Sequence, residues 1–306
     1  MPSATANGIE IEYEVAGPDD GPPVLLIMGL AGQLTWWPAD FVDRLVKAGY
    51  RVIRFDNRDI GHSHKFKSRR APNPAVQLMA RRFKLSGLAP YTLVDMAQDT
   101  VSLLDALGVP KAHIVGVSMG GMISQIMGAN FPDRVAGLSI IMSSTNNPRL
   151  PKISPEIAKA LMSPPKPGAS KEEALERSMY IWGLIGTRDS GSTEDELRAR
   201  LATSYERSNY PAGMRRQLAA IIETGDLRKR FTRKIKAPSL VIHGAEDPLA
   251  PLPGGIDISK NIPGAQLEVI QGMGHDLPMK FIPKIIGFLT KHFEAVDQAS
   301  AKSDAA

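Results

Sequence analysis

The chain has 306 residues, a formal net charge of +5, 43% hydrophobic and 23% charged residues, and no cysteine. That length buries a large core, and the balance of apolar and charged residues excludes a disordered chain. No apolar run is long enough for a transmembrane helix, and the lack of cysteine excludes disulfides, thiol nucleophiles and thiolate metal sites. The first residues carry neither a basic nor an apolar leader segment, so a signal peptide is not expected, and a cytoplasmic location is.

Residues 9–15 alternate apolar and acidic side chains, which predicts a half-exposed antiparallel edge strand. After a Gly/Pro turn, the apolar run 24–28 reads as a strand covered on both faces and leads into a glycine-rich loop at 29–32. A helix over 38–48, with Pro38 in its first turn and Gly49 closing it, is followed by a strand over 51–55. The polar loop 56–63 comes next, then an irregular basic stretch with a helix over 74–84. Thr92 with Asp95 resembles a capping box opening a helix to Leu107. A short buried strand then meets Gly116-Val117-Ser118-Met119-Gly120, a G-x-S-x-G turn into a helix over 119–129.

Small residues two before and two after the serine let such a turn close, and the helix N-terminus favours negative charge at the hydroxyl. A strand over 134–142 follows. From 143 to 236 the strand rhythm stops, and helices are expected over 155–162, 171–185, 193–205 and 212–227, an all-helical insertion. Strands resume at 239–243 and 266–270, a helix closes at 281–293, and the small polar tail 295–306 reads as frayed. Strands alternating with helices imply a mainly parallel sheet, whose sites lie at the carboxyl ends of its strands.

Ser118, Asp247 and His275 fall at three such ends. A serine needs a base within reach, imidazole titrates in the right range, and a carboxylate fixes the ring's tautomer. Two alternatives stay open here: Asp247 as a helix cap before Pro248 with Glu246 as the acid, and His275 as a structural residue. His113 and His243 lie within strands and read as core or edge residues. His62-Ser63-His64 lacks a third ligand and reads as a loop, so no metal and no cofactor are expected. The basic clusters at 65–70, 81–84 and 228–236 could touch nucleic acid or an anionic membrane, but they are dispersed without a nucleic-acid motif and read as solvated faces.

The order Ser, Asp, His, the elbow at 116–120, residues 244–248, Gly274-His275 and the loop from Asp56 together resemble the α/β-hydrolase superfamily over about residues 9–293. That resemblance implies an α/β-hydrolase fold: a mostly parallel eight-stranded sheet with helices on both faces and a helical cap inserted after the sixth strand. The core is then 1–142 with 237–306, and the cap 143–236. It further implies Ser118 as nucleophile, Asp247 as orienting acid and His275 as base, with the amides of Leu30 and Met119 as oxyanion hole. Residues 28–38 are similar to small bacterial esterases related to anthracycline methyl esterases.

Two departures from the family pattern stand out. Met28 takes the place of a frequent histidine, which removes a brace behind the oxyanion loop. Asp59 occupies a usual glycine position, expected to change loop shape more than chemistry. Trp36, Trp37, Met122, Met142 and Trp182, with Met119, are candidates for an apolar substrate pocket. The function implied is a carboxylic ester hydrolase acting on a small-molecule ester, with no nucleic-acid partner and no membrane span, and with a homodimer allowed. Perhydrolase, carbon–carbon bond hydrolase and amidase chemistry remain open on the same three residues, as does a non-catalytic ligand-binding relative.

Overall fold

A computed structural model describes residues 2–83, 85–162 and 170–304. The proline-rich linker at 163–168 and the end of the expected helix at Lys84 lie outside the described residues. The sheet has eight strands: β1 (Ser3–Ala6), β2 (Ile9–Ala16), β3 (Pro23–Ile27), β4 (Arg51–Phe55), β5 (Ala112–Val117), β6 (Val135–Ile141), β7 (Ser239–Gly244) and β8 (Gln266–Ile270). Their spatial order is β1-β2-β4-β3-β5-β6-β7-β8, antiparallel as far as the β2–β4 pair and parallel beyond it.

Helices cover both faces. On one lie α3 (Leu93–Ala106), α4 (Met119–Asn130) and α9 (Pro253–Asn261); on the other lie α1 (Ala39–Lys47) and α10 (Ile282–Asp304). The central strands show why both faces must be covered. In β3, Leu25 and Ile27 point into the first layer while Val24 and Leu26 point into the second. In β5, Ala112 and Ile114 face the first layer, Val115 and Val117 the second. Successive side chains alternate faces, so a continuous apolar run feeds two cores at once.

Between β6 and β7 the chain passes through α5 (Pro155–Met162), α6 (Lys171–Ile185), α7 (Glu194–Arg207) and α8 (Pro211–Thr224). Capping boxes start α6 at Ser170–Glu173 and α7 at Thr193–Glu196, and Pro211 occupies the first turn of α8. The remaining helix, α2 (Pro74–Arg82), lies between β4 and α3.

Four expectations are corrected. The strand over 9–15 is not the edge: Ser3–Ala6 pairs outside it, and Glu12 is buried, its carboxylate 2.9 Å from His62 and 3.3 Å from Arg207. Pro38 caps the first helix rather than joining its first turn. A helix missed over 253–261 begins Pro-Gly-Gly, residues that hide a helix from a propensity reading. The tail is not frayed where it is described, since α10 continues to Asp304, with Val296 buried and Asp297 bonded to the His113 ring at 2.9 Å.

Candidate active site

The turn from β5 into α4 depends on close backbone approach. A Cβ on Gly120 would lie 2.0 Å from the Ile27 carbonyl oxygen, and one on Gly116 would lie 2.2 Å from the Ser124 hydroxyl. Between them Ser118 has φ 53° and ψ −117°, a region a side chain rarely enters and that surrounding structure must enforce. Its hydroxyl stands at the N-terminus of α4.

The loops after β7 and β8 bring the other two groups to it. His275 Nε2 lies 3.0 Å from Ser118 Oγ, and His275 Nδ1 lies 2.7 Å from Asp247 Oδ2. The other Asp247 oxygen accepts from the amides of Leu249 at 2.9 Å and Ala250 at 2.7 Å. The carboxylate is therefore fixed from behind, and both Asp247 and His275 are buried. Glu246 points to solvent and contributes nothing to this chain of contacts. His243 lies beneath Asp247 and is held by the Ala250 carbonyl at 2.6 Å; burial pushes its pKa down, which favours the neutral ring.

The loop 274–276 is anchored from α6. The His275 amide donates to the Ile185 carbonyl at 2.8 Å, and the Gly274 amide donates to the Thr187 hydroxyl at 2.8 Å. Thr187 in turn donates to the Asp276 carboxylate, whose pKa burial raises.

Leu30 and Met119 flank Ser118 on the wall of one cavity of about 2410 Å³. Met119 is the first residue of α4, so its amide has no carbonyl one turn back to bond. The loop that carries Leu30 is braced, although not by histidine. The Ala31 amide donates to Gln217 Oε1 of α8 at 3.0 Å, and the Gln217 amide group donates to the Arg58 carbonyl at 2.9 Å. Asn57 donates to the Met28 carbonyl at 3.1 Å, and Asp56 accepts from the Leu34 amide at 2.7 Å. Gln217, some hundred positions beyond the elbow, carries no local sequence signal for this task.

Asp59 does more than shape its loop. It has φ 70°, and its buried carboxylate takes a two-pronged contact from Arg216 of α8, at 2.8 and 2.7 Å, and a hydroxyl from Tyr91 at 2.6 Å. Arg207 of α7 likewise reaches Asp56 at 2.7 Å. The inserted helices are thus tied by charged groups to the loops beside the serine.

Of the pocket candidates, Trp36, Met122, Met142 and Trp182 all line the cavity. Trp36 stacks on Trp182 of α6 with ring centroids 5.0 Å apart. Trp37 also borders the cavity, with most of its ring buried in the second core layer against Phe41, 5.1 Å away. Arg200, not anticipated from sequence, lies 4.4 Å from the Trp36 ring and donates to the Trp36 carbonyl. Burial lowers its pKa to about 10, which leaves it charged at neutral pH.

The arrangement offers a hydroxyl, an imidazole and a carboxylate in series beside a large, mostly apolar space. Among the described residues no helix is long and apolar enough to cross a membrane. Rhodomycin D methylesterase DauP of a Streptomyces species is 28% identical over 309 aligned residues, 95% of this chain and 97% of that protein, in line with the resemblance of residues 28–38. A 2-hydroxy-6-oxononadienedioate/2-hydroxy-6-oxononatrienedioate hydrolase of Cupriavidus pinatubonensis is 28% identical over 261 residues, 82% of this chain and 80% of that one. The enol-lactonase of Burkholderia xenovorans superposes with a TM-score of 0.72 at 23% identity, over 96% of this chain and all of that one. Residues 22–280 match the alpha/beta hydrolase fold family as a whole, and the chain belongs to that family.

Proposed function

We propose that the chain is a carboxylic ester hydrolase working through an acyl-enzyme on Ser118. The observation that carries this reading is the continuous contact from Ser118 Oγ to His275 to Asp247, at 3.0 and 2.7 Å. His275 Nε2 takes the serine proton as Oγ attacks the ester carbonyl. The amides of Leu30 and Met119 receive the oxyanion, a contact worth on the order of a hundredfold to a thousandfold per donor. The imidazolium then protonates the departing alcohol. The same ring then deprotonates a water that attacks the acyl carbon, and the imidazolium passes that proton to Ser118 Oγ as the acyl–oxygen bond breaks. Asp247 holds the Nδ1–H throughout and stabilises the charged ring.

In this reading helices α5–α8, within 143–236, act as a cap over the serine. The cavity exceeds what a short ester fills. Its Trp36, Trp182, Met122 and Met142 walls suit an ester with one large apolar half, in keeping with the similarity to a methylesterase. Ser118→Ala is expected to abolish hydrolysis of a short p-nitrophenyl ester while the melting temperature shifts little; retained turnover would reject the reading.

A second reading, carbon–carbon bond hydrolysis, draws on the similarity to the oxononadienedioate hydrolase. Turnover of vinylogous diketones, with none of p-nitrophenyl esters, would favour it.

A further inference from the structure

Helix α2 is built inside out. Gln77 is fully buried and donates to the Ala219 carbonyl at 2.9 Å and to the Glu223 carboxylate at 3.1 Å, both on α8. Arg81, one turn later, donates to the Glu223 carbonyl at 2.6 Å. The helix is therefore fastened through polar side chains. Its outward side and the segment after it carry Val76, Leu78, Met79, Phe83, Leu85 and Leu88, each between 44% and 70% exposed. These are six of the ten large hydrophobic side chains most exposed among the described residues. Single exposed leucines need no explanation, but a cluster of this kind marks a contact surface.

Charge identifies the partner. Residues 60–94 contain seven Lys and Arg side chains and no Asp or Glu. Lys67, Arg69, Arg70 and Arg82 are exposed, and among the described residues none of them forms an ion pair. The basic stretch at 65–70 stays with the helix, because Arg216 of α8 binds the Arg69 carbonyl at 3.0 Å. A second copy of the chain would set this basic face against itself. An anionic bilayer offers both an acyl layer for the hydrophobic side chains and phosphates for the cations.

We propose that α2 and its flanks, from Lys67 to Leu88, dock the protein on an anionic phospholipid surface. Pro72 and Asn73, which lead into α2, and Pro74, its first residue, line the large cavity, so the docked segment adjoins the cavity wall. The surface is separate from Ser118 and does not depend on which bond is cleaved there.

The test is co-sedimentation of the full chain with vesicles of phosphatidylglycerol and phosphatidylcholine, or of phosphatidylcholine alone. Retention on the anionic vesicles is expected, at least tenfold weaker on the neutral ones and weakened by salt. The double substitution Met79→Glu/Phe83→Glu is expected to reduce retention at least tenfold with an unchanged melting transition. Arg70→Glu/Arg82→Glu is expected to reproduce the effect of high salt. No retention of the wild type, or equal retention of the Met79→Glu/Phe83→Glu protein, would overturn the proposal. So would a concentration-dependent dimer, in sedimentation velocity, that the same double substitution dissolves.

Discussion

Replacing Arg216 by methionine tests the link between the inserted helices and the loop at Asp59. The Asp59 side chain is fully buried and accepts four hydrogen bonds: two from Arg216, at 2.8 and 2.7 Å, one from Tyr91 at 2.6 Å and one from the Phe66 amide at 2.9 Å. Arg216→Met removes the positive partner and leaves a buried carboxylate with only neutral donors. Breaking one side of a buried ion pair costs about 3–5 kcal/mol. At about 2 °C per kcal/mol for a chain of this size, the melting temperature should fall by roughly 6–10 °C.

Most of that loss belongs to the stranded charge and not to the worth of the pair itself. Adding Asp59→Asn removes the charge and keeps a residue that tolerates positive φ. The double variant should therefore recover about half of the loss or more. Urea unfolding followed by circular dichroism on the four proteins of the cycle measures this directly. A single-variant cost below about 1 kcal/mol, or additive losses in the double variant, would refute the reasoning.

Gln217→Leu should lower kcat for a p-nitrophenyl ester by roughly tenfold to a hundredfold while changing KM little. The Ala31 amide loses its acceptor, and the neighbouring Leu30 amide loses its aim at the oxyanion. An effect confined to KM would contradict the assignment. His292 is buried beside His113, and burial pulls its pKa down to about 4 from the ordinary 6.5. The unfolded chain then binds more protons between those values, so stability falls as pH drops through this window. This ring alone should remove about 2 kcal/mol between pH 7 and pH 5, and His292→Leu should flatten the slope by that amount in urea melts. An unchanged slope would show that the ring takes up protons in the folded protein as it does in the unfolded chain.

Local signals carried most of the architecture. The continuous apolar run at 24–28, the glycines around Ser118 and the Thr92–Asp95 capping box each reflect short-range sterics or hydrogen bonding, and each is found where those rules place it. The positions of Ser118, Asp247 and His275 were legible because parallel sheets collect strand ends on one side. Asp247 could not be separated from Glu246 by sequence, since the choice depends on which carboxylate the turn points inward.

What stayed hidden is long-range. Gln217 and Arg216 act on residues more than a hundred and fifty positions away, and nothing in their own helix announces it. Asp59 was noticed as an irregularity, yet its meaning lay in the partner on α8. The strand over 3–6 is too short to read alone and exists through its pairing with β2. At the end of α10, Val296 and Asp297 meet residues of β5 and β6 far away in the chain.

The most direct measurement is labelling with a fluorophosphonate followed by peptide mass spectrometry. An activated hydroxyl predicts one covalent adduct, on Ser118, formed rapidly by the wild type and lost or slowed at least a hundredfold in His275→Ala. No adduct on Ser118, or labelling that proceeds equally fast without the imidazole, would contradict the account.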